Sequence, residues 1–354
     1  INKSIIMSDL KTYNLNLKTI NLFQKCFKSN GKHKNKENII WQFLENPENN
    51  SIVDICHDEK KNRTASIYAI FCVNFKIGDN LFKAAQTVDT ITDIKYWGQG
   101  LFVKQAKDVY DKATKSDLSL VYGFPNGNSV KSFTKKLEWE IMDPVPFLIK
   151  PLKTKYFTRK LNFLSFLPNI NIPISLFNNK NSYKLKEVND FHQGINLIWE
   201  KFSKNIQVSV NRNKEYLNWR YVLKPNEFYK IIDCYDTGNE YLGSCVYTIK
   251  NKHNGRVGYI MELIYDLEKP KSGKLLLKYA VEKIKKSKAD CILVWCFEHS
   301  PNFKIFKNQL FFKLPEKLKP VELHFGVKSF NNDISSIVNK RDNWYLSYSD
   351  SDTV

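Results

Sequence analysis

Apolar positions along the chain follow two rhythms. Residues 51–57 and 64–75 carry dense apolar runs, and IYAIFCVNF is nearly continuous, as expected of a strand covered on both faces. Ile77–Asn80 (IGDN) signals a turn, and Ala84–Ile91, rich in Thr, Val and Ile, predicts the next strand. Beyond Lys95–Gly100 the rhythm changes. Phe102, Ala106, Val109, Tyr110 and Ala113 fall on one face of a helix. Leu118–Phe124 predicts another strand, a loop holds Pro125, Asn126, Gly127 and Asn128, and a helix from about Ser129 to Leu137 closes the unit. Upstream, residues 15–47 predict helices around a basic polar loop, SNGKHKNKEN, with Leu17, Ile20, Leu22, Phe23 and Phe27 as an apolar face.

The strand–glycine turn–helix at 84–115 points to anion binding. Glycines at such a junction let backbone N–H groups crowd round a phosphate, and the helix N-terminus adds positive potential. The turn holds Gly98 and Gly100 but no third glycine, so it is not GxGxxG, and no GK[ST] follows, so it is not a Walker loop. A short GxG turn suits one pyrophosphate.

The second half repeats the first. LVYGF starts at 120 and LVWCF at 293, an offset of 173, and the same offset carries Phe133 onto Phe306, Leu137 onto Leu310, Asp89 onto Glu262 and Gly100 onto Gly273. WQFLENP at 41–47 likewise matches WRYVLKP at 219–225. Two lobes of one fold are expected. In the second, Trp97 and Gly98 become Pro270 and Lys271: proline removes a donor N–H, and a Cβ at the tight turn keeps phosphate away. Five prolines punctuate residues 142–180, which read as a connector. The expected plan is a first lobe at 1–150, a connector at 151–180, a degenerate second lobe at 181–330 and a tail at 331–354.

The chain of 354 residues is long enough for two cores, and its 24 Phe, 18 Tyr and 7 Trp exclude a disordered chain. Seven scattered cysteines form no CxxC, and no metal-ligand spacing, GxSxG or HExxH occurs, so no metal is expected. The first residues hold no long apolar region and no run is long enough for a membrane span, so a soluble cytoplasmic protein without membrane contact is expected. The net charge of +19 suits anionic ligands. The lysines are spread along the chain, with local clusters at Lys32–Lys36 and Lys283–Lys288. That spread reads as a solvated coat and argues against nucleic acid, whose binders concentrate charge on one element.

DTITDIKYWGQGLF resembles the acyl-CoA-binding motif of the GNAT superfamily of N-acyltransferases, Arg/Gln-x-x-Gly-x-Gly/Ala after a strand. YGFPNGNSVKSFTKKLEW is similar to the following strand and helix in a bacterial branch with a GFPN-x-x-S form, and NWYLSYSDSD is similar to that branch's ending. Two positions depart: Lys95 stands at the Arg/Gln position, and Thr134 where many members place a tyrosine that protonates the leaving thiolate. The resemblance implies an α/β fold of two tandem GNAT-like lobes, each a mixed, largely antiparallel sheet with flanking helices. It also implies acyl-CoA as co-substrate and transfer to the amine of a small acceptor. Members of this branch act in surface-polysaccharide pathways, implying a nucleotide-linked amino sugar as that acceptor, in the cleft between lobes of a monomer or weak oligomer.

By the same resemblance, Val88, Thr90, Ile91 and Thr92 line the pantetheine arm, a pseudo-strand between splayed strands. The pyrophosphate lies over Lys95, Tyr96, Trp97, Gly98, Gln99, Gly100, Leu101 and Phe102, and Asn126 and Asn128 contact the arm. Asp89, near the strand's exit, is the candidate general base. Thr134 and Tyr96 are candidate proton donors. Glu262, the repeat partner of Asp89, with His299, His324 and Tyr345, is a candidate acceptor contact, and Trp344, Asp350 and Asp352 are candidates to fold back toward it. Two alternatives stay open: a tandem-lobe transferase fed by aminoacyl-tRNA, against which the intact glycine turn argues, and a non-catalytic acyl-CoA or nucleic-acid binder.

Overall fold

The computed structural model describes residues 10–154, 183–315, 318–319 and 324–353. Most of the expected connector, 155–182, lies outside them. The strands are β1 (Leu10–Asn14), β2 (Ile52–Asp58), β3 (Arg63–Ile77), β4 (Asn80–Thr92), β5 (Leu120–Gly123), β6 (Glu140–Met142), β7 (Phe147–Pro151), β8 (Lys184–Val188), β9 (Val208–Val210), β10 (Lys230–Tyr235), β11 (Tyr241–Lys252), β12 (Gly255–Tyr265), β13 (Cys291–Trp295), β14 (Phe312–Lys313) and β15 (Phe325–Ser329). The helices are α1 (Ile20–Ser29), α2 (Lys36–Ile39), α3 (Leu101–Lys115), α4 (Val130–Leu137), α5 (Ile195–Ser203), α6 (Lys214–Tyr221), α7 (Pro270–Lys286), α8 (Phe303–Asn308) and α9 (Asn332–Val338).

The chain forms two compact units. The first comprises Ile1–Asp143, Leu223–Pro225 and Leu323–Asn343, the second Pro144–Val222, Asn226–Glu322 and Trp344–Val354. The first sheet runs β1-β2-β3-β4-β5-β15-β6 and the second β14-β7-β13-β12-β11-β10-β8. Along each path one pair is parallel, β4–β5 and β12–β13, and the other neighbours are antiparallel. Each unit is thus a mixed, largely antiparallel sheet with helices, the architecture of a GNAT-like lobe repeated in tandem.

The units do not follow chain order. β7, from the stretch read as a proline-punctuated connector, pairs with β13 in the second sheet. β15, which follows β14 in the chain, lies between β5 and β6 of the first sheet. The lobe boundary drawn through residue 150 therefore falls inside β7, and the segment drawn as second lobe supplies a strand to the first. The backbone of each short strand is satisfied by edges distant in sequence, and local pattern carries no trace of which edge.

Packing follows the apolar rhythm in the first unit. The β3–β4 hairpin turns at Ile77 and Asn80, and β3 is buried over most of its length, as its continuous apolar run requires. On α3 the buried residues are Leu101, Gln105, Ala106, Val109, Tyr110 and Ala113. Of these, Ala106, Val109, Tyr110 and Ala113 join Tyr68, Ile70, Cys72, Val121, Phe133, Leu137 and Trp139 in one cluster, with Phe102 packed against it. The hydroxyls of Tyr68 and Tyr110 lie 2.6 Å apart, and the Trp139 indole N–H donates to Tyr110 at 2.8 Å, so these buried polar atoms satisfy each other. All seven cysteines are buried, and none is in a disulfide. No helix among the described residues is long and apolar enough to cross a membrane.

Candidate functional site: a glycine turn and a strand fork

The glycine turn rests on a buried polar base. Asp93, at the end of β4, caps the short turn Ile94–Tyr96 by accepting the Lys95 N–H at 2.9 Å, and Arg63 donates to its other oxygen at 2.5 Å. Burial alone would push the Asp93 carboxyl up. The hydrogen bonds from Arg63, Ser29 and the Lys95 N–H outweigh it and hold the group below the ordinary carboxylate value. Tyr96 packs with Ala65 and Leu101, and its hydroxyl donates to Asp58 at 2.7 Å. Asp58 also accepts the Lys61 N–H at 2.9 Å and is likewise held low against its burial.

Above this base the backbone turns through Gly98 (φ 76°) and Gly100 (φ 80°), both left-handed, and α3 begins at Leu101. A Cβ built on either glycine meets nothing within 4 Å. Backbone conformation, and not crowding by protein atoms, is therefore what demands glycine here, and the space beside the turn is open. Trp97 is 65% exposed beside it, with its indole N–H donating to the Thr92 carbonyl at 2.8 Å.

β4 and β5 form a fork. They pair in parallel at Ala85↔Val121 and Gln86↔Tyr122, and β4 then runs on to Thr92 while β5 ends at Gly123. A bulge opposite Tyr68 interrupts the β3–β4 register, and its Asp89 adopts φ 52°. The Asp89 carboxylate is ion-paired with Lys34 from the loop between α1 and α2. The same loop is tied to α1, where Gln24 Nε2 donates to the Lys34 carbonyl at 3.0 Å.

The fork and the glycine turn open on one cavity of about 1020 Å³. From β4 and the turn it is lined by Thr90, Ile91, Thr92, Ile94, Tyr96, Trp97, Gly98 and Gly100, and from α3 by Leu101, Phe102 and Val103. Asn126, Asn128, Ser129, Ser132 and Lys136 form another wall, and Ser29, Asn30 and Lys32 a third. Eleven of the expected donor-site residues are thus brought together. Val88, Lys95 and Gln99 are absent from the lining: Val88 pairs with Ala69 in the ladder, the Lys95 N–H is used by Asp93, and Gln99 reaches the Lys95 carbonyl at 3.5 Å. The Ser29–Lys32 wall and the Ser129/Ser132/Lys136 face were not anticipated. The latter was legible, because those residues share one face of α4 by spacing; the former joins the site only through the tertiary fold.

Other expectations need correction. Thr134 is exposed and donates to the Val130 carbonyl at 2.9 Å on its own helix, away from the cavity lining. The Tyr96 hydroxyl is committed to Asp58, and burial together with that carboxylate pushes it well above the ordinary phenol value, which suits an anchor and not a proton donor. Glu262 is buried in the second unit, where it accepts from Arg212 at 2.8 Å, Tyr345 at 2.7 Å and Ser347 at 2.7 Å. Tyr345, Trp344 and Asp350 are buried in the same unit. His299 bonds the Trp344 carbonyl at 2.8 Å and stacks on Phe297. His324 belongs with the first unit, where its N–H donates to the Pro125 carbonyl at 3.0 Å. The four residues expected to contact one acceptor do not form one site in either unit. Among the described residues no group of His, Cys, Asp and Glu could hold a metal.

No family model matches the sequence, and no curated protein matches it by sequence. Solved structures do match by fold. Saccharomyces cerevisiae N-myristoyltransferase with bound myristoyl-CoA is similar at a TM-score of 0.59, with 11% identity over 91% of this chain and 79% of that one. A GCN5-related N-acetyltransferase from Anabaena variabilis ATCC 29413 is similar at 0.61, with 12% identity over 91% and 73%. A conserved protein of unknown function from Enterococcus faecalis V583, described as a probable N-acyltransferase, is similar at 0.61, with 10% identity over 90% and 72%. The fold is therefore that of tandem GNAT-like lobes, shared with N-acyltransferases that diverge from this chain almost completely in sequence.

Proposed function

We propose that the chain is an acyl-CoA-dependent N-acyltransferase whose donor binds in the first unit's cavity. The observation that carries this reading is the β4–β5 fork opening directly onto the Gly98–Gly100 turn at the start of α3. A pantetheine arm needs a strand edge to lie along, and a pyrophosphate needs open backbone at a helix N-terminus. The residues fit such a ligand: the space beside both glycines is clear, and Lys32 and Lys136 bring positive charge to the cavity walls. Val88, Lys95 and Gln99 lie outside the lining and would support the strand and the turn from behind without touching the ligand.

The bound thioester supplies an activated acyl carbon for attack by an amine nitrogen. The carbon–nitrogen bond forms, the carbon–sulfur bond breaks, and the ammonium proton must be removed. Thr90 and Ile91 hold the arm, and Asp89, which precedes Thr90 in the bulge and is not itself part of the cavity lining, is the candidate to accept that proton through a water. Its partner Lys34 fixes the carboxylate's orientation. The departing thiolate takes its proton from solvent, since Thr134 and Tyr96 are engaged elsewhere.

For the acceptor we favour a small amine carrying an anionic group, a nucleotide-linked amino sugar being the form that the sequence resemblance suggests. Lys32 and the net charge of +19 support the anion. The engaged Thr134 and Tyr96 favour one second reading, an acyl-CoA sensor without turnover. Thiol release from acetyl-CoA separates the two. Release that depends on a nucleotide-linked amino sugar, and falls at least tenfold in Asp89→Asn, supports the enzyme. Saturable acetyl-CoA binding with no amine-dependent thiol release across an amine panel refutes it and leaves the sensor.

A further inference from the structure

The second unit contains the same strand fork, and it is filled. β12 and β13 pair in parallel at Val257↔Cys291, Gly258↔Ile292 and Tyr259↔Leu293, after which β12 continues to Tyr265. Tyr259, the last paired residue of β12, is the repeat partner of Gln86, the last paired residue of β4. A register break at Met261 matches, within a residue, the bulge at Asp89. In the first unit the fork borders about 1020 Å³ of space; in the second, the void between Ile260–Leu263 and Val294–Cys296 is about 10 Å³. The remaining wall of that void includes Tyr345, Leu346 and Ser347.

The segment Trp344–Ser351 makes the difference. The Tyr348 ring stacks on Trp295 of β13 (centroids 5.1 Å apart, 24°) and meets Tyr259 of β12 edge-on at 5.6 Å, so it touches both arms where they part. Tyr345 donates to Glu262 at 2.7 Å and accepts from Asn302 at 3.2 Å. Ser347 donates to the other Glu262 oxygen at 2.7 Å. Arg212, fully buried, joins Glu262 to Asp350, and Arg220 donates to the carbonyls of Ser349 and Ser351 at 2.8 and 2.6 Å. The phosphate turn is gone as well. α7 begins at Pro270, whereas the offset carries Leu101, the first residue of α3, onto Lys274, so helix replaces the turn. Gly273, the partner of Gly100, now abuts the Tyr265 ring: a Cβ there would lie 2.7 Å from it.

We infer that the second lobe's fork is a peptide-binding groove whose resident ligand is the chain's own 344–351 segment, lying where the first lobe leaves room for an arm-shaped ligand. Glu262, Arg212, Arg220 and Asn302 are the receptor side of that site. The repeat that became a receptor for its own chain is thereby closed to a second ligand, whatever the first lobe binds.

Two measurements test this. In native-state hydrogen exchange on the full chain, amides of 345–350 should be protected within about tenfold of those of β12. Exchange as fast as in the exposed turn 237–240 would overturn the inference. Second, a chain ending at Lys340 is titrated with a peptide of residues 342–354, with a scrambled peptide as control. Saturable one-to-one binding that weakens at least tenfold in Glu262→Ala supports the groove. A truncated chain with a cooperative melt that ignores the peptide would overturn it. If truncation prevents folding, the exchange measurement on the full chain decides alone.

Discussion

Gly98→Ala isolates what the glycine turn is for, because the fold supplies a matched control. Gly98 (φ 76°) and Gly78 (φ 59°) are both left-handed, and a Cβ on either meets nothing within 4 Å. An alanine at each site therefore costs only backbone strain, about 1–2 kcal/mol, with no clash. The two variants should lower the melting temperature by similar amounts, a few degrees in a protein of this size. They differ in surroundings: Gly98 faces the cavity, whereas Gly78 sits in the β3–β4 hairpin and does not line it. A methyl at Gly98 would displace a phosphate from the backbone N–H groups, and each charge-assisted bond lost is worth about 1.5–3 kcal/mol. Losing one such bond predicts about 10- to 150-fold weaker CoA binding in Gly98→Ala and native affinity in Gly78→Ala. Calorimetric titration of both variants, alongside their melts, is the assay. Equal affinities would refute the assignment of the turn, as would equal losses in both variants.

Three further outcomes follow from the same geometry. Tyr96→Phe removes the donor to the buried Asp58 carboxylate and should destabilise by about 1–3 kcal/mol in denaturant titration, while acyl transfer at saturating substrate stays within about threefold of native. Lys136→Gln should weaken CoA about fivefold in low salt and less at 0.5 M, the signature of a partly screened charge on the cavity wall. Asp58 and Asp93 are both held below the ordinary carboxylate value of 3.8, so their contribution to stability is complete above that pH and is lost as pH falls through the lower folded values. Melting temperature and ligand affinity should therefore show no loss from these two groups between pH 8 and 5, and should fall together below about pH 4. Loss of affinity above pH 5 without loss of stability would point to a different titrating group.

What the sequence disclosed was local or periodic. The strand–turn–helix at the glycines follows from the apolar spacing of α3 and the β-branched run of β4, and the two lobes from the offset linking LVYGF to LVWCF. What it withheld depends on pairing at a distance. Nothing in FGVKS announces an edge between β5 and β6, and the prolines flanking FLIK made a buried strand look like a connector. Glu262 was singled out as the partner of Asp89, but its role is set by Arg212, fifty positions away, and by Tyr345 and Ser347 still further on. The Asp89–Lys34 pair was hidden for the same reason, since the basic loop reaches the bulge only through the packing of α1 on β3.

If the first unit alone holds an acyl-CoA, calorimetric titration of the full chain with CoA and acetyl-CoA should give saturable binding of both ligands with one site per chain. No heat and no saturation with either ligand would contradict that assignment, and two equivalent sites would contradict the closure of the second fork.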